Sequence, residues 1–97
     1  MQAKEAMLPC GTVRVGDVVV LRSGDAARVV CFWGHNDDIA AELEFYTKVD
    51  DTKWLAVEGG AKQIADADHI VDAVAYAPLG GGVIRVILPA RVKLGLV

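Results

Sequence analysis

V-G-D-V-V-V-L-R-S-G-D-A-A-R-V-V-C-F-W, residues 15–33, is the stretch that decides the fold class. Gly16-Asp17 is a turn signal, and the apolar run 18–21 follows it. Ser23-Gly24-Asp25 interrupts that run, and apolar character resumes from Ala26 to Trp33. Two β-branched runs flanking a Ser-Gly-Asp turn predict a β-hairpin. Its strands are expected at 18–22 and 26–33. The second is apolar almost throughout, which predicts burial on both faces near one end.

Outward from the hairpin, further short strands are expected. Residues 12–15 form a short strand or a lead-in, with Val13 and Val15 opposite Arg14. Residues 1–9 have helix-compatible composition but are too short to hold a helix without packing, and Pro9-Cys10-Gly11 ends them. On the other side, 34–38 (G-H-N-D-D) is a polar loop with strong turn chemistry. Residues 39–47 alternate, with Ala41, Leu43 and Phe45 inward and Glu42, Glu44 and Tyr46 outward. Helix formers in Ala-Ala-Glu-Leu-Glu oppose that pattern, but Phe-Tyr-Thr and the turn-bounded length favour a strand.

Residues 48–53 form a loop, 54–57 a short strand, and Glu58-Gly59-Gly60 closes it. The stretch 62–77 reads two ways. Ile64, Ala67, Val71 and Val74 fall at helical spacing, whereas Ile70, Val71, Val74 and Tyr76 are strand formers. The expectation is a helical turn at 65–68 followed by a strand over 69–77, with a full helix as the alternative. Residues 78–82 form a flexible loop and 83–88 a strand stopped by Pro89. The end, 91–97, sets Val92, Leu94 and Leu96 against Arg91 and Lys93, a cationic edge that discourages stray pairing.

The chain of 97 residues is expected to be a single domain over 1–97, with 1–12 a lead-in and 13–97 the core. Its hydrophobic fraction, 54%, exceeds the usual 45–50%, roughly speaking, of globular domains. Surplus apolar surface points to a partner or to self-association. A net charge of −3, with dispersed Lys and Arg, argues against a nucleic-acid binder. No apolar run approaches membrane-spanning length, and the N-terminus lacks a signal-peptide core, so an intracellular protein (cytoplasmic or nuclear) with no membrane partner is expected. Cys10 and Cys31 are read as reduced thiols, and without a Cys-x-x-Cys pair no structural zinc is expected.

Catalytic motifs are missing from the sequence. Gly80-Gly81-Gly82 lacks the Lys-Ser/Thr that phosphate cradling needs, and reads as a plain loop. His35 lies among Asn36, Asp37 and Asp38; His69 lies near Asp66, Asp68 and Asp72. Either group could hold a divalent ion, but a solvated turn at His35 and a surface ion-pair cluster at His69 are the favoured readings. No cofactor, metal or catalytic residue is expected. The binding candidates are Trp33, Tyr46 and Trp54, which fall at strand ends or on the outward face. Aromatics gathered at a barrel rim can attract a methylated ammonium group, with Asp37, Asp38, Asp50 and Asp51 adding charge complementarity. The plain reading is that Trp33 and Trp54 complete a core short of large residues.

The order of these features resembles a bromo-adjacent homology (BAH) domain. V-G-D-V-V-V-L at 15–21 is similar to the opening Gly-Asp-hydrophobic strand of that family, and Ala27-Arg28-Val29-Val30 with Trp33 to the next. L-E-F-Y-T-K-V-D-D-T-K at 43–53 and the strand at 70–76 match later features. The family's Arg-Pro pair and its Asn-Glu before the later strand have no counterpart. The resemblance implies a mainly β fold: a small SH3-like (BAH/Tudor-type) curved β-barrel of five to seven short strands with at most one short helix. It implies a protein-interaction module of chromatin-associated proteins, and it carries over no ligand-reading residue.

Two functions follow as expectations. The first is a non-catalytic module binding a peptide or protein partner through an aromatic-lined groove or a strand edge. The alternative is a small metal- or ligand-binding oligomeric protein using His69 or His35 with nearby aspartates. A dimer built by edge strands is a third.

Overall fold

The computed structural model describes residues 2–35, 38–56 and 62–87. Ten strands form among them: β1 (Gln2–Ala3), β2 (Glu5–Leu8), β3 (Gly11–Arg14), β4 (Val18–Leu21), β5 (Ala26–His35), β6 (Asp38–Lys48), β7 (Lys53–Ala56), β8 (Lys62–Asp66), β9 (Ile70–Gly80) and β10 (Val83–Ile87). The helical element among the described residues is a single 3-10 turn, Ala67–His69. No helix there is long and apolar enough to cross a membrane. The chain is mainly β, as its β-branched runs predict.

The hairpin that decides the fold forms as β4 and β5, with Val18 opposite Arg28 and Val20 opposite Ala26. Gly24 makes its turn at φ +90°, and its amide donates to the Leu21 carbonyl at 2.9 Å. The sheet runs β1-β5-β4-β9-β10-β7-β6-β8, and β5 also pairs with β6. β2 and β3 form a separate hairpin.

Several expectations need correction. The strand count exceeds five to seven. The lead-in is itself built of strands: Glu-Ala-Met-Leu alternates with Ala6 and Leu8 buried, and this period-2 pattern prevails over helix-compatible composition. Gly11, at φ +123°, turns the chain into β3, and Glu5 meets Arg14 across the hairpin at 3.3 Å. Of the polar loop expected at 34–38, Gly34 and His35 belong to β5 and Asp38 to β6. Residues 62–66 are a strand, β8, and the helical turn begins at Ala67 rather than at residue 65. The loop expected at 78–82 narrows to Gly81-Gly82, since β9 continues through Pro78 to Gly80. Pro78 sits opposite Ile84 beside a register shift, where a missing amide is tolerated. The strand expected at 91–97, Val57 of the 54–57 strand and the Glu58-Gly59-Gly60 closure lie outside the described residues.

Two apolar cores organise these strands. The first gathers Ala6, Leu8, Val13, Val19, Leu21, Ala27, Val29, Phe32, Ala41, Leu43, Ala67 and Ile70. The second gathers Val18, Val20, Ala26, Trp54, Val74, Ile84 and Val86, with Tyr46 packed against it. Successive strand residues point to opposite faces. Hence Val19 and Leu21 of β4 enter one core while Val18 and Val20 enter the other, which is why this strand tolerates no polar position.

Two bulges keep the cores in register. On β5, Val29 pairs with Leu43 and Cys31 with Glu42, leaving Val30 as the extra residue. Odd positions (Ala27, Val29) before it and an even one (Phe32) after it therefore reach the same core. On β9, Ile70 opposes Leu21 and Asp72 opposes Val20, so Val71 is skipped. Ile70 then belongs to the first core, and Asp72 and Val74 turn to the second face. Asp72 is buried, yet no buried side-chain nitrogen or oxygen among the described residues lacks a hydrogen-bond partner.

Candidate functional site

β6 carries the side chains that matter most. Ala41 and Leu43 are buried in the first core and Phe45 packs against it, as the alternation predicts. The opposite face presents Glu42, Glu44 and Tyr46 in turn. Glu44 lies between Arg28 of β5 and Lys62 of β8 in the cross-strand registers. Arg28 Nη2 donates to Glu44 Oε1 at 3.3 Å. A groove of about 280 Å³ crosses this row, lined by Val15, Gly16, Arg28, Val30, Glu44 and Lys62 among others.

Tyr46 follows Glu44 on the same face and is only half-exposed. Its phenol is held above the usual value, first by burial; Tyr76 and Glu44 add to the shift, and Arg28 opposes it. Tyr46 packs on the second core, of which Trp54 is the largest member. The register agrees: Trp54 lies opposite Lys48, two positions beyond Tyr46. Tyr76 shares a face of β9 with Val74 and stands opposite Val86, where its side chain is 46% exposed. Thus Tyr46, Tyr76 and the Arg28–Glu44 pair collect at one end of the second core, with Trp54 deeper in it.

The predicted aromatic set is therefore divided. Tyr46 and Trp54 share a core, but Trp54 is 4% exposed and presents little surface. Trp33 is 40% exposed and sits near the far end of the β5–β6 ladder, opposite Ala40. Six strand positions separate Ala40 from Tyr46, roughly 20 Å at the usual strand rise. Trp33 is not brought to the other two. Tyr76 is not among the sequence candidates, although the strand expected over 69–77 already sets it on one face with Val74.

The acidic and histidine candidates are scattered too. Asp50 folds into its own turn, accepting from the Thr52 amide at 2.9 Å and the Lys53 amide at 3.0 Å. These bonds, the Thr52 amide foremost, hold its carboxyl below the usual range. Asp51 lies 3.8 Å from Lys48 Nζ. Asn36 and Asp37, and the side chains of His35 and Asp38, lie outside the described residues. His69 is exposed and lines a second groove of about 420 Å³ with Arg22, Ser23, Asp25, Phe45 and Gln63. Asp72 is buried on the face of Val20, whereas Asp66 is exposed on β8. Among the described residues, no group of three or more His, Cys, Asp or Glu side chains is placed to hold a metal ion.

Compared with protein-family models, with curated proteins and with solved structures, the chain matches none.

Proposed function

We propose that this protein is a non-catalytic interaction module, a small SH3-like barrel of the kind the BAH resemblance implies, that binds a peptide segment of a protein partner. The pairing of β5 with β6, besides the run β5-β4-β9-β10-β7-β6, supports the barrel reading, because these contacts return to the strand they start from. The observation that carries the function is the pair of incompletely buried tyrosines, Tyr46 and Tyr76, at the end of the second core beside the charged groove of Arg28, Glu44 and Lys62. Aromatic rings over an apolar floor supply large contact area at little conformational cost, and a charged rim sets orientation. An extended peptide would lay its backbone along the groove and seat one anchor side chain against the two rings.

The test is a displayed-peptide selection followed by amide and indole chemical-shift titration of the selected sequences. Shifts confined to Tyr46, Tyr76, Arg28, Glu44 and the Trp54 indole are expected. Tyr76→Ala is expected to weaken the best peptide at least tenfold, the scale of one truncated aromatic anchor, about 1.4 kcal/mol or more. Selected peptides that bind Tyr76→Ala as well as the native chain would remove the reading.

A further inference from the structure

We infer that β8 is a docking edge for a second copy of this chain, paired antiparallel about Ile64. This does not rest on the peptide reading: Lys62 lines the groove proposed above, but Ile64 and Asp66 do not, so Asp66→Lys and Ile64→Cys probe this edge apart from that groove. Among the described residues β8 ends the sheet: it pairs with β6 on one side and with no described strand on the other. Its sequence is Lys-Gln-Ile-Ala-Asp, and all but Ala65 are exposed. Ile64, at its centre, is 66% exposed. A free edge carrying a large aliphatic residue is what folded proteins ordinarily guard, often with a lysine.

Lys62 resembles such a guard until Asp66 is considered. Two-fold antiparallel pairing centred on Ile64 places Lys62 opposite Asp66 of the second copy, and Asp66 opposite the other Lys62. Ile64 then meets its own counterpart, and Gln63 meets Ala65. A parallel in-register pairing would instead set lysine against lysine and aspartate against aspartate, which is unfavourable for directly opposed residues. The edge therefore accepts itself in one direction only.

The neighbouring strands continue the same logic. Across the sheet, Arg28 opposes Glu44 and Glu44 opposes Lys62, so charge alternates over three strands. The next strand position calls for an acidic residue, and Asp66 of a second copy supplies it. By symmetry the alternation crosses the junction twice. Five residue pairs make a small interface beside the roughly 1,200–2,000 Å² of stable complexes, so the dimer is expected to be weak and concentration-dependent.

Sedimentation velocity of the whole chain from low micromolar to about 0.5 mM, a range suited to so small an interface, tests it. The native chain is expected to pass from monomer to dimer. Lys62→Asp alone and Asp66→Lys alone each oppose like charges and are expected to abolish the dimer; the double exchange K62D/D66K is expected to restore it. Near-ultraviolet circular dichroism checks that each variant is folded. Independently, Ile64→Cys is expected to form an oxidised dimer at least ten times faster than Met7→Cys, an exposed control away from this edge. A native chain that stays monomeric at every concentration overturns the proposal, as does a dimer indifferent to both single exchanges. An Ile64→Cys chain no faster than the control also overturns it.

Discussion

β4 invites a paired perturbation, Val19→Ala and Val20→Ala. In an ordinary half-buried strand one of two adjacent positions faces water and is nearly silent when truncated. Here both are fully buried, Val19 in the first core and Val20 in the second. Each change removes two methyl-sized groups, about 0.8 kcal/mol apiece in transfer free energy. The cavity left behind adds about 24 cal/mol per Å³, so a void of a few tens of Å³ brings each to about 2–3 kcal/mol. A chain of 97 residues has about 5–15 kcal/mol in total, so either change removes a large share. Urea unfolding followed by tryptophan fluorescence is the assay, and both midpoints should fall with little change in slope. Because the side chains point into different cores, V19A/V20A should lose nearly the sum. A loss below about 0.5 kcal/mol at either position, the range of ordinary surface substitutions, would refute the two-sided burial of β4.

Three other outcomes are expected. Gly24→Ala meets no atom within 4 Å but keeps φ near +90°, so it should destabilise by about 1–3 kcal/mol through backbone strain alone, measured in the same urea assay. Asp50 has a depressed folded-state pKa, so its stabilising share is present above the unfolded carboxylate value and fades as pH falls through the folded one. Asp50→Ala should flatten that acid limb in a plot of midpoint against pH. Tyr46 is shifted the other way: its stabilising share is whole below the unfolded phenol value and is lost as pH rises through the folded one. Absorbance titration at alkaline pH should show a late-ionising tyrosine that disappears in Tyr46→Phe; an unchanged late phase would contradict the burial of that ring.

Much of the fold was legible because β-branched runs and turns are local signals. The β4–β5 hairpin and the inward Ala41, Leu43 and Phe45 came directly from them. The N-terminal hairpin was not read, because Glu5, Ala6, Met7 and Leu8 are good helix formers whose alternation acquires meaning only once a core exists to bury Ala6 and Leu8. Tyr46 was read as outward, and it does leave the first core, but the face it enters is a second core that no local pattern announces. The aromatic candidates suffered for the same reason. Residue type alone cannot say that Trp54 opposes Ile84 inside the second core while Trp33 pairs with β6 at Ala40, eight positions from Lys48, the partner of Trp54. Tyr76 falls on the strand expected over 69–77, but no local pattern says that its face lies beside Tyr46.

The extra residue at Val30 has a consequence for how this sequence can change. A deletion of Val30 would leave Cys31 opposite Glu42 and Phe32 opposite Ala41, so it would smooth the strand without turning Phe32 out of the first core. A deletion of Phe32 would instead bring Trp33 opposite Ala41, into the place Phe32 now fills. Shortening by one residue is therefore far cheaper at position 30 than two positions later.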